Sequence, residues 1–414
     1  MEYGANMKIR RVLLTMMLLL FTISAISLPV YAKDIPGSPN TWLLQSRLAT
    51  SESGLYALLQ GQVYYYDYQT SDAVWLRDVD LVDDTYQGQI YQTPDRYERY
   101  YEMAESFAAM FYYDDHVWIL LSRQEAGKMD AQLILRQFDP AMETGRDYLL
   151  PQNIRRPTSS ILHHDKLFFI DSEDLPLGDG SLLERRFLSS FDLSTGEVSE
   201  LMPDHQCRNF TINDNMLVVL AKPNDENLAD YSDFMDFVLA NRDVPGEIYL
   251  YDIADAEFQQ QNFSGLFDWP IRIGDWLVYN EIILADRESK ETENQEFVRA
   301  FNLLNEDAKL LAEDASGFFV RDGSTLAWQT SRTTQEGEQE FLVTLLDDGL
   351  NEIYIYSYAC INPSRSLYFA GHDRGRLFFI ESEIKDYVEY QRAVYMIDSN
   401  ESAPELRKII STEP

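Results

Sequence analysis

Carboxylates dominate the chemistry this chain could do. Asp and Glu number 69 against 34 Lys and Arg, a formal net charge of −35, with only five His and two Cys. The acids gather in stretches. Asp171, Glu173, Asp174, Asp179 and Glu184 lie between Asp171 and Arg186, and six lie between Lys222 and Gly246. Five more lie between Asp286 and Glu296, and three Glu between Thr330 and Glu340. Two converging carboxylates could act as the acid and base of glycoside cleavage. Six to eight oxygens could hold Ca²⁺, yet no Asp-x-Asp-x-Asp-Gly spacing occurs, and Leu177-Gly178-Asp179-Gly180-Ser181 is too poor in ligands. The expected cofactor set is therefore empty, with Ca²⁺ the one ion the acidic loops could take. Gly-x-Ser-x-Gly, His-Glu-x-x-His, Cys-x-x-Cys and the Gly-rich phosphate loops are all missing, so no catalytic or metal residue is assigned.

The remaining candidates are binding residues. Tyr97, Tyr100 and Tyr101 fall in the aromatic-rich stretch Asp83 to Ala104, where rings could stack on sugars or anchor a peptide. Asp230 to Leu239 reads as one or two helical turns, with Asp230 as cap and a Phe234, Phe237, Val238 stripe. Phe234 and Asp236 from this segment join the binding set. His163 and His164 fall at a tight turn, as do His116 and His372, and all four read as solvated turn residues. His205 lies in a crossover and is the one His kept as a binding candidate.

The elements that must position these residues recur. Seven times an apolar run is followed by a strand-like run ending in an apolar or aromatic residue plus Asp or Asn. The pairs are Tyr66-Asp67, Phe138-Asp139, Phe191-Asp192, Tyr251-Asp252, Phe301-Asn302, Leu346-Asp347 and Ile397-Asp398. This is the period of a four-stranded propeller blade. Asp, Asn and Gly at the recurrent turns suit tight hairpins, and continuous apolar runs such as Val117 to Leu121 suit strands covered on both faces. The fold class is all-β, a single propeller of about seven four-stranded blades, with six or eight as alternatives. Trp42 to Ala49 either supplies the missing strand of the first blade or completes the last blade and closes the ring. Because strands alternate in direction, the swollen second-to-third loops and the inter-blade crossovers share one face, acidic and decorated.

The ends and the charge bound the location. Met7-Lys8-Ile9-Arg10-Arg11, the apolar Val12 to Ile26 and Val30-Tyr31-Ala32 read as an export signal cleaved between Ala32 and Lys33. Residues 1–32 are thus a signal peptide and 33–414 the propeller, secreted or held at the cell surface. An uncleaved anchor is the rival reading; after cleavage no stable membrane insertion is expected. The negative field disfavours nucleic acid and other polyanions. Cys207 and Cys360 stand three modules apart, farther than the roughly 7 Å a disulfide spans, and are expected unpaired.

Gly54 to Tyr68 and Phe111 to Trp118 resemble the opening of a group of exported bacterial propeller proteins without an assigned activity. The Cys-rich stretch typical of that group is absent from Leu76 to Gln92. The resemblance covers the first third and implies fold and export, not chemistry. The functional expectation is a monomeric binding or scaffold module for a protein or glycan, using the acidic long-loop face. The alternative is a glycan-active hydrolase or lyase with a carboxylate pair near the central channel.

Overall fold

The computed structural model describes residues 47–79, 103–125, 131–151, 159–176, 182–213, 215–224, 245–265, 267–283, 295–313, 318–322, 324–333, 339–359, 365–385 and 388–412. Among them there is no helix. Twenty-eight strands form seven four-stranded antiparallel sheets, each in chain order, and together they make a seven-bladed β-propeller. Blade 1 holds β1 (Leu48–Thr50), β2 (Gly54–Leu59), β3 (Gln62–Asp67) and β4 (Ala73–Asp78). Blade 2 holds β5 (Met103–Tyr113), β6 (His116–Glu125), β7 (Ala131–Phe138) and β8 (Gly145–Leu149). Blade 3 holds β9 (Ser160–His163), β10 (Lys166–Pro176), β11 (Leu182–Asp192) and β12 (Val198–Glu200). Blade 4 holds β13 (His205–Asn213), β14 (Met216–Pro223), β15 (Gly246–Asp252) and β16 (Glu257–Gly265). Blade 5 holds β17 (Phe267–Ile273), β18 (Trp276–Ile283), β19 (Gln295–Asn302) and β20 (Ala308–Glu313). Blade 6 holds β21 (Phe318–Asp322), β22 (Thr325–Thr333), β23 (Gln339–Asp347) and β24 (Glu352–Ala359). Blade 7 holds β25 (Arg365–Asp373), β26 (Arg376–Lys385), β27 (Val388–Asp398) and β28 (Arg407–Ser411).

First strands form the inner ring. β1 packs on β5, β5 on β9, β13 on β17, β17 on β21, β21 on β25, and β25 returns to β1. Second strands are apolar throughout because both their faces are covered, and the period-two alternation assigns each side chain to one seam. Leu167 and Phe169 of β10 pack toward blade 2 with Trp118, Leu120 and Leu135. Phe168 and Ile170 pack toward blade 4 with Cys207, Leu217 and Val219.

The recurrent Asp or Asn has a structural job. It ends the third strand, and its side-chain oxygen caps the hairpin to the fourth. Asp67 Oδ1 accepts the N–H groups of Gln69 (2.7 Å) and Thr70 (2.9 Å). Asp192 Oδ1 accepts those of Ser194 (2.9 Å) and Thr195 (3.0 Å). Asp252 does the same for Ala254 and Asp255, Asn302 for Leu304 and Asn305, and Asp347 for Gly349 and Asn351. Asp139 caps Glu143 and Thr144, and Asp398 caps Asn400. Hydrogen bonds from Thr144, Ser194 and Asn351 hold Asp139, Asp192 and Asp347 respectively below the usual carboxylate range. Four residues on, the backbone turns left-handed at Ser71, Gly196, Ala256 and Glu306 (φ 60°, 74°, 55° and 61°).

The ring closes without strand exchange. Leu48 pairs with Ala57 inside blade 1, and blade 7 supplies its own outer strand β28. Of the two readings of the N-terminal strand, the one that makes it part of the first blade holds and the one that completes the last blade is overturned; residues 42–46 lie outside the described residues. What closes the ring is an apolar seam, with Leu55, Ala57, Leu59 and Tyr66 against Tyr368, Phe378, Ile380, Val394 and Ile410. Beside it sits a polar clasp. Tyr68 Oη donates to Asp373 Oδ2 (3.0 Å), which also accepts Arg374 Nη2 (3.1 Å). Arg376 lies 4.1 Å over the Tyr68 ring. The Arg374 side chain reaches on to Ser51 O (2.5 Å), and its backbone N–H donates to Asp322, so three blades meet on one residue. Gly54 is required at this seam: a Cβ there would stand 2.3 Å from Tyr66 O and 2.5 Å from the Tyr65 ring.

Two further expectations are corrected. Asp171 to Arg186 is not a swollen loop: Asp171–Pro176 and Leu182–Arg186 are paired strand, since β-propensity and cross-strand partners extend the hairpin. His372 is not a solvated turn residue. It is buried in β25, where its Nε2 accepts the Gly375 N–H (3.2 Å), and burial lowers its pKa. His164 does sit in a turn (φ 46°), with Nε2 2.8 Å from Asn215 Oδ1 of the next blade.

Candidate functional site

Strand alternation gives the disc two unlike faces. First-to-second and third-to-fourth turns, with their Asx caps, emerge on a hairpin face. Second-to-third connections and crossovers emerge on the other, the arm face. There the ladder of blade 3 runs from Lys166↔Asp192 to Pro176↔Leu182, while β9 stops at Phe169↔Ser160 and β12 pairs only with Ser189–Phe191. The distal half of β10–β11 is thus a two-stranded ribbon. The second-to-third ladders of blades 2, 6 and 7 also run long, to Gln124↔Ala131, Thr333↔Gln339 and Lys385↔Val388, but there a third strand follows them, to Met103↔Glu125, Glu340↔Ala359 and Arg365↔Glu383. Blade 1 has only the turn Gln60–Gly61 at that address. Charges stiffen the blade 3 arm: Arg185 pairs with Glu173 (2.8 Å) and Glu200 (2.7 Å) and lies over the Phe187 ring.

Blade 4 carries a proton-sharing chain at the arm-face end of its inner strand. Tyr249 Oη donates to Glu247, and His205 Nε2 lies 2.9 Å from the same hydroxyl. Since the phenol proton goes to Glu247, the imidazole donates through Nε2–H. Burial first, then the Glu247 contact, raises the Tyr249 pKa, so the phenol keeps its proton.

The seam between blades 4 and 5 holds the most unusual polar group. β13 breaks register between Cys207 and Asn209, leaving Arg208 as the bulged residue. Facing it, β17 breaks register between Asp268 and Ile271, where Trp269 has φ 49° and Pro270 has no N–H to offer. Three side chains of β13 stitch the two inner strands together. Asn209 Nδ2 donates to Asp268 Oδ1 (2.6 Å), Thr211 Oγ1 to Pro270 O (2.8 Å) and Asn213 Nδ2 to Arg272 O (3.1 Å). Asp268 Oδ1 also accepts the Trp269 N–H (3.0 Å).

That Asp268 carboxyl is enclosed by protein, although the residue as a whole keeps some surface. Burial pushes it up to about 7, against the opposing pull of the Trp269 N–H, the Arg208 charge and Asn209. Arg208 is in turn lowered by burial, with Asp268 the charge that opposes the shift. Among the described residues the Arg208 guanidinium makes no hydrogen bond and no ion pair within 4.0 Å. Asn209 is 1% exposed, and its Oδ1 is buried without a donor.

Of the sequence-derived binding set, His205 is described and stands beside this seam. Tyr97, Tyr100, Tyr101, Phe234, Asp236, Ala32 and Lys33 lie outside the described residues, as does Cys360. Cys207 is a free, buried thiol whose pKa burial pushes up to about 12. Among the described residues no three His, Cys, Asp or Glu side chains are arranged to hold a metal ion. Sequence reasoning missed Arg208, Asn209 and Asp268. One signal was present: Pro270 inside the strand-like Phe267 to Ile273 marks a bulge.

No protein-family model matches the chain, and no curated protein matches it in sequence. Solved structures with a detectable likeness include an oligogalacturonate lyase in complex with manganese, at 13% identity and TM-score 0.43, covering 70% of this chain and 73% of that one. The acylaminoacyl peptidase of Pyrococcus horikoshii is 13% identical with TM-score 0.47, covering 74% and 46%. A puromycin-hydrolyzing peptidase of Mycobacterium tuberculosis is 11% identical with TM-score 0.47, covering 93% and 56%. The chain spans about half the length of the two peptidases.

Proposed function

We propose that this propeller is an exported binding or scaffold protein that takes a protein or glycan on its arm face, as its resemblance to exported bacterial propellers suggests. Export follows the N-terminal signal, with cleavage between Ala32 and Lys33 and no nucleic-acid partner. The observation that carries the reading is the asymmetry of the disc. Hairpin-face carboxylates are engaged as turn caps, whereas the arm face lifts the charged blade 3 ribbon clear of the four-stranded body. Hairpins held above a rigid ring are the usual place for recognition. Binding of the purified protein to panels of neutral glycans and basic proteins tests it. A variant with Leu175 to Leu183 replaced by Asn-Gly should lose the ligand, while Asp192→Ala on the opposite face should keep it. Full binding after arm removal ends the proposal.

A second reading is supported by one group. A carboxyl with a pKa of about 7 on an inner strand, Asp268, suits a general acid for glycan cleavage or elimination. Turnover of a polysaccharide that disappears in Asp268→Asn would support this reading; turnover equal to the unmodified protein would refute it.

A further inference from the structure

We infer that Arg208, Asn209 and Asp268, at the paired bulges of blades 4 and 5, form a recognition site for a ligand carboxylate that carries a neighbouring hydroxyl or N–H donor. The inference deepens the binding reading by assigning a ligand class to one place on the arm side of the inner ring. Three observations carry it. First, Arg208 is half-buried beside Asp268 yet has no hydrogen-bond acceptor among the described residues. A guanidinium offers five donors in a planar fork that matches a carboxylate in two parallel bonds. Second, Asn209 Oδ1 is buried and accepts nothing, while its Nδ2 is committed to Asp268 at 2.6 Å. Buried acceptors are nearly always satisfied, so this one specifies a donor on the ligand. Third, both strands break register at this point, which turns Arg208 out of the alternation that sends Cys207 toward blade 3.

The charge around the site sets the ligand's valence. The charged groups facing Asp268 are Arg208 from β13 and Glu296 from β19, and Asn280 of β18 lies opposite it in register. A single cation beside two acids, in a chain of net charge −35, favours a monoanion over a phosphate dianion. Binding a carboxylate at Arg208 draws that cation away from Asp268 and favours the neutral Asp268 carboxyl, which can then donate to the ligand. A hexuronic acid and a peptide C-terminal residue both present this pattern.

Calorimetric titration of the full chain at pH 6 and pH 8 tests the site, with galacturonate, its methyl ester, glycylglycine and glycylglycinamide as probes. At least one free acid should bind, with its ester or amide at least about tenfold weaker. Galacturonate alone binding identifies a sugar acid, and the dipeptide alone a chain terminus. Arg208→Gln should weaken the acid at least about tenfold, and Arg208→Lys less, because an ammonium cannot form the fork. Thermal melts confirm that each variant is folded, and Asp268→Asn should flatten the difference between the two pH values. Equal binding of acid and ester, unchanged binding in Arg208→Gln, or no binding of any probe at millimolar concentration overturns the site. Should these titrations fail while panel binding depends on the blade 3 arm, only the carboxylate site falls. Should the arm prove dispensable while galacturonate still needs Arg208, only the arm-face reading falls.

Discussion

The two faces of this disc use the same residue type in opposite ways. On the hairpin face Asp139, Asp192 and Asp347 accept backbone and side-chain hydrogen bonds that favour the charged form, and their pKa values fall. On the arm side, burial at the seam of blades 4 and 5 favours the neutral form of Asp268, and its pKa rises to about 7. The hairpin face also holds Asp373, surrounded by Tyr68, Arg374 and Arg376. A carboxylate with its acceptor sites filled holds the ring together. One with few partners near a bulge costs stability and is left able to respond to a ligand.

The largest expected loss of stability is at the closing clasp. Asp373→Asn leaves two partly exposed arginines and a half-buried tyrosine without their common partner and should cost about 2 kcal/mol in urea unfolding. If the loss is under about 1 kcal/mol, the apolar seam alone closes the ring. Next comes Asp268→Asn, whose effect should depend on pH. With a folded pKa near 7 and an unfolded value near 3.9, the folded chain holds this proton more tightly. Stability contributed by the protonated form is present in full below about pH 4 and disappears as pH climbs to about 7. Asp268→Asn should therefore be close to neutral at pH 4 and stabilising by roughly 2–4 kcal/mol at pH 8. A difference that does not change between those pH values would remove the contrast between the faces.

The hairpin caps carry the opposite sign. Their folded pKa values lie below the unfolded ones, so their contribution is complete above the unfolded carboxylate range and lost as pH falls through the folded values. Asp192→Ala should accordingly narrow the drop in melting temperature between pH 5 and pH 2.5. Asn302→Ala, which removes an uncharged cap on Leu304 and Asn305, should cost about 1 kcal/mol at every pH. The smallest change is at Glu306, left-handed at φ 61° where blade 3 has Gly196. Glu306→Gly should add about 0.5 kcal/mol, and a loss instead would show that the Glu306 side chain supports the turn.

How much was legible depended on whether the signal was local. The blade repeat was, because each period contains its own strands and its own Asx cap. Tyr66-Asp67 and Ile397-Asp398 look alike in sequence because they do the same local work. His372 was misread because His372-Asp373-Arg374-Gly375 resembles an exposed turn; Arg374 is exposed, and only the packing of blade 7 against its neighbours buries His372 and Asp373. Asp171 to Arg186 was misread as a loop because its acids obscured a register that continues to Pro176↔Leu182.

The amino-acid order by itself determined a ring of about seven four-stranded sheets, their antiparallel turns and the apolar second strands, since periodicity and turn chemistry act over a few residues; the structure fixed the count at seven. Only the tertiary structure decided how the ring closes and where Arg208, Asn209 and Asp268 meet. Those groups belong to different blades or to bulges, and the desolvation that shifts Asp268 comes from neighbours brought in by packing, far along the chain.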